Sequence, residues 1–148
     1  MRPVSGENVL LSLWVGGIWA IGYIAVPVLF ATIEDKAVAG AVAGRLFTVS
    51  GWVGFCAAGL LALLWLIRLG REALKTPRFP MLLLALGLLL VNLLYVQPQI
   101  ISAHQLSTTS SEDFALLHRA AGVIYMLVSV IGLGLVAFSG HQPEKVER

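Results

Sequence analysis

Residues 79–103 read FPMLLLALGLLLVNLLYVQPQIISA, 25 positions without an Asp, Glu, Lys or Arg. About twenty predominantly apolar residues cross the hydrocarbon core of a bilayer as an α-helix, so this run is long enough to span. It does not stand alone. Asn8–Ile33, Leu46–Ile67 and Ala120–Gly140 are equally free of charge. Lipid offers backbone groups no hydrogen-bond partner, so each span must satisfy its own ladder as a helix. Uninterrupted apolar runs in tandem also lack the alternation that a membrane β-barrel requires. The expected fold is therefore all-α: an integral membrane four-helix bundle, one domain over 1–148, with helices near 8–33, 44–68, 79–101 and 115–140.

Composition agrees. Of 148 residues only 12% are charged and 58% are hydrophobic, with a mean hydropathy of +0.88. A soluble domain needs about twice that share of charge to cover its surface. The lipid bilayer is thus the expected surrounding. A formal charge of +2 is too mild to suggest nucleic acid as a partner. The first apolar run is far longer than the roughly 7–15-residue core of a cleaved leader, and it is read as a retained helix.

Orientation follows from Lys and Arg. With both termini inside, the inner side holds Arg2, Arg68, Arg71, Lys75, Arg78, Lys145 and Arg148, and the outer side holds Lys36, Arg45 and Arg119. The short connection 68–78 carries four of these, which is where the positive-inside rule applies best. The expected topology is N-in/C-in.

Polar residues inside the spans are costly and call for a reason. Asn92, Tyr95 and Gln99 lie at i, i+3 and i+7, one stripe on a regular helix. Gly16, Trp19, Tyr23 and Pro27 share a face of the first helix in the same way. Pro27 lacks an N–H, which frees the Tyr23 carbonyl and favours a kink; Pro98 is expected to stop the third helix at the outer surface. Toward the outer ends, Tyr23, Pro27, Arg45, Gln97, Gln99 and His118 are candidates for the lining of an outward-facing polar cavity, with Asn92, near mid-membrane, as its floor. For each there is a plainer reading. Arg45 can snorkel to headgroups, His118 can cap a helix, and Asn92 can clasp a neighbouring helix. Glu34-Asp35 can cap the helix that follows, and the pairs Gly40/Gly44, Ser50/Gly54 and Gly54/Ala58 suit close helix packing.

Other chemistries find little purchase. Cys56 is the single cysteine, and no HxxxH or CxxC occurs. His104 and His118 share the expected outer side and are the candidate metal pair, though no recognised ligand spacing joins them. With no intramembrane carboxylate pair and no nucleophile–base pattern, neither an enzyme nor a bound cofactor is expected.

Four segments in order carry a resemblance: GGIWAIGYIAVPVLFATI, Arg45 directly before Leu46-Phe47, VNLLYVQP, and FALLH opening the last helix. Between about Trp14 and Tyr125 the chain resembles the transmembrane protein 205-like family, whose bacterial members are classed as domain of unknown function 4149. The matching positions are Pro27, Leu29, Phe30, Arg45, Leu46, Phe47, Asn92, Pro98, Phe114 and His118. Arg119, Ala121 and Tyr125 stand where the family often has Gly, Ser and Asn. Gln97 and Gln99 replace charges that flank the proline in some relatives. The resemblance implies a small multi-pass protein, here expected in a bacterial inner membrane. Its vertebrate namesake's link with drug and platinum export implies transport, and a distant likeness to copper-resistance membrane domains implies a metal- or haem-related role. Two main readings follow. One is transport or binding of a small solute in the outward cavity, in a homo-oligomer. The other is a non-catalytic accessory or assembly subunit docked on a partner membrane protein.

Overall fold

A computed structural model describes residues 6–106 and 111–139, and the side chains of 6–102 and 115–138. Helix α1 covers Gly6–Thr32 with a π-helical segment at Ala20–Ala25. Helix α2 is Lys36–Leu69. Helix α3 runs through Arg78–Val91, a π-helical segment Asn92–Val96, and Gln97–Leu106. Helix α4 is Ser111–Ser139. All four are long and apolar enough to cross a membrane, and no strand occurs among the described residues.

Each helix packs against two neighbours, α1 on α2 and α4, and α3 on α2 and α4, giving a ring in chain order. The seam is built from small residues against large ones. Buried Gly51 and Gly54 of α2 face Leu93 and Trp14, and Gly132 of α4 faces Val15. A Cβ at Gly54 would come within 2.6 Å of the Trp14 indole nitrogen, so the small side chain sets how closely α1 approaches α2. Leu11, Ile18, Leu61, Leu82, Leu89, Val128 and Leu135 fill the centre. Leu13, Ile67 and Leu116 are among the many large apolar side chains turned outward, the pattern of a protein that faces lipid.

Helix α2 begins eight positions before the expected start of 44. The Asp35 side chain accepts from the backbone N–H of Ala37 and Val38 at 2.8 and 3.3 Å, so the cap defines the start and the apolar run does not. The ammonium of Lys36 closes α1 by donating to the Phe30 and Ile33 carbonyls. At the other end α2 leaves through Gly70 at φ +56°, a conformation that favours glycine, and a short 3-10 turn Gly70–Lys75.

Pro98 does not stop α3, contrary to the sequence expectation; the helix continues to Leu106. Both prolines are handled by the same device. The π segment of α1 ends two residues before Pro27, and that of α3 ends two residues before Pro98. There the Val26 N–H bonds to the Ile21 carbonyl and the Gln97 N–H to the Asn92 carbonyl, each five residues back. Widening the turn draws a carbonyl away from the proline ring, which would otherwise collide with it.

Candidate functional site

The π segment of α3 changes which residues share a face. Asn92 is 5% exposed and Tyr95 is 66% exposed, so the expected Asn92–Tyr95–Gln99 stripe does not form. The stripe presumed 3.6 residues per turn, and the wide turn Asn92–Val96 rotates less per residue, so Tyr95 falls further short of the Asn92 face. On α1 the expected face does exist, but it points outward. Gly16, Trp19, Tyr23 and Pro27 are all exposed, with the Trp19 and Tyr23 rings 4.9 Å apart.

What converges inside is a different set. A narrow cleft of about 10 Å³, the size of one water, is bordered by Ile18 of α1, Phe47, Ser50 and Gly51 of α2, Leu89 and Asn92 of α3, and Ile124, Tyr125 and Val128 of α4. The Tyr125 hydroxyl donates to the Ile18 carbonyl, with Ser50 lining the same cleft and Gly22 directly beside the hydroxyl. Gly22 makes this possible, because a Cβ there would fall 2.9 Å from the Tyr125 hydroxyl oxygen. The hydroxyl therefore sits at the onset of the α1 π segment, two residues before Ala20. The Tyr125 ring is held edge-on by Phe47 at 4.9 Å. Asn92 completes the lining, and its side-chain oxygen is buried without a protein partner.

Of the seven sequence candidates, only Asn92 lines this cleft. Gln97 is buried elsewhere on α3, and Gln99 is half-buried. Tyr23, Pro27, Arg45 and His118 are exposed. The side chain of His104 lies outside the described residues, so the candidate metal pair is not brought together by anything described. Among the described residues no three His, Cys, Asp or Glu side chains cluster.

A second polar knot lies away from this mid-bundle cleft, where α1 and α3 begin and α2 ends. The Arg78 guanidinium meets the Glu7 carboxylate at 2.9 Å, with the two side chains only 15% and 12% exposed. It also lies 4.7 Å over the Trp65 ring, so α1, α2 and α3 are pinned at one point. Glu7 is the only acidic residue before the first charge-free run, which was the available signal for this contact.

The family model described as "Domain of unknown function (DUF4149)" matches residues 9–109. The chain belongs to the DUF4149 family. No curated protein and no solved structure matches it. The DUF4149 match takes in Ser50 and Asn92 but ends before Tyr125, so the cleft joins a family region to a final helix outside the match.

Proposed function

We propose that this DUF4149 protein is a non-catalytic accessory or assembly subunit of a multi-pass membrane complex, and that its polar interior fixes the bundle in place of passing solute. The observation that carries this reading is the cleft itself. Four helices send polar groups to it, yet it has room for about one water, and its hydroxyl and backbone groups are engaged with one another. Contact with a partner or a second copy then falls to the outer faces. On α1, Ser12, Gly16 and Ala20 are exposed at successive spacings of four, and nothing lies within 4 Å of a Cβ placed at Gly16, so another helix has room to approach there. The expected setting is a bacterial inner membrane with both termini inside, in line with the basic connection 68–78. The resemblance of the four ordered segments supports reading the chain, within DUF4149, as similar to the transmembrane protein 205-like proteins.

The test is a pull-down in mild detergent. A constant stoichiometric partner, or a second copy, is expected from the wild type and lost in Gly16→Ile without loss of accumulation. One observation favours the second reading, binding or transport of a small solute. The π segment of α3 contributes Asn92 to the cleft and that of α1 begins two residues after Ile18, so both could act as hinges that open it toward Arg45, Gln99 and His118. Under that reading Asn92→Leu and His118→Ala would abolish a solute-dependent phenotype while the protein still accumulates.

A further inference from the structure

We propose that the cleft among Ser50, Asn92 and Tyr125 is a binding site for a single structural water that joins α3 to α2 and, through Tyr125, to the π segment of α1. The site is independent of the accessory-subunit reading. Its first support is an orphaned acceptor: Asn92 is 5% exposed, it lines the cleft, and its side-chain oxygen has no protein donor. A buried amide oxygen left bare costs a desolvation penalty that a bound donor removes. The second support is size. About 10 Å³ is at the lower bound for one water and excludes an organic solute. The third is the company: a buried water needs two to four polar partners, and Ser50 and Tyr125 border the same space.

The donors and acceptors close in one direction only. Tyr125 spends its proton on the Ile18 carbonyl, so toward other groups its oxygen can only accept, and the Ser50 hydroxyl borders the same cleft. A Ser50 hydroxyl that turns its proton to that oxygen leaves its own oxygen as an acceptor toward the cleft. Asn92 presents an acceptor as well. Two acceptors facing one small space call for a molecule that donates twice, and water does so at this size. An ion fits neither requirement: a cation would find too few oxygens, and an anion would face acceptors. The chain of bonds would run from Asn92 through water, Ser50 and Tyr125 to the Ile18 carbonyl. In this way a side chain of α3 and the wide turn of α1, which do not pack on each other, act on one another.

Solid-state NMR on the lipid-reconstituted full chain tests this by water-edited transfer to the Asn92 side-chain amide. Transfer to Asn92 is expected, with none to the methyls of Leu82 and Leu135, which are fully buried and do not line the cleft. Ser50→Ala should lose or strongly weaken the Asn92 signal while the Asn92 resonance itself persists. Absence of transfer in the wild type overturns the site. Equal transfer to Leu82 and Leu135 also overturns it, since it would mean a generally wet bundle. Should Asn92→Leu fail to accumulate, the wild-type and Ser50→Ala spectra still decide.

Discussion

Single side chains decide how firmly the bundle is held. Removing one member of the Glu7–Arg78 pair leaves a largely buried charge without its counterpart. Glu7→Gln should therefore cost up to about 3 kcal/mol in a detergent unfolding assay. Replacing both by apolar residues should return most of that loss, and a double-mutant cycle reads the coupling directly. Tyr125→Phe keeps the ring against Phe47 but removes the donor to the Ile18 carbonyl, for an expected loss of about 1 kcal/mol, within the range measured for interhelical polar bonds. These contacts were only partly legible in the sequence. Asn92 stood out because an amide in a span must find company. Ser50 and Tyr125 did not, because a serine spaced for packing and an aromatic ring inside an apolar span each have an ordinary explanation. Their joint role depends on the fold.

At the level of the element, the four spans could be read from charge-free runs because the bilayer leaves the backbone no alternative to a helix. The fine register could not. Two prolines were read as one kink and one stop, whereas each is preceded by a π segment within a continuous helix. That difference turned Tyr95 outward and Asn92 inward. A pair of glycine substitutions separates local preference from tertiary demand. Alanine is favoured over glycine in a helix interior by about 0.5–1 kcal/mol. Gly87→Ala, on an exposed face with open space around it, should be neutral or gain that much. Gly22→Ala should instead destabilise, because the new Cβ meets the Tyr125 hydroxyl. Thermal unfolding of the two variants side by side should show opposite signs, and carbonyl shifts over residues 20–25 should report a change in the π segment only in the second.

The whole molecule is a ring of four helices whose outside is apolar and whose inside is tied by polar contacts at mid-span and at the end where α1 and α3 begin. Its class was readable from composition, while the meeting point of its polar groups was not, since α2 and α4 add members that sequence spacing cannot relate to α3. Reporter fusions at the two ends and in the 68–78 connection should all read cytoplasmic, as the distribution of Lys and Arg expects. If the interior holds the bundle together and does not pass solute, it must stay tight in lipid. The most direct measurement is a high-resolution map of the full chain in a lipid nanodisc. It should show the Tyr125 hydroxyl on the Ile18 carbonyl and nothing larger than one water beside Asn92. A map with α1 swung away from α4 and solute-sized density against Asn92 would contradict that claim.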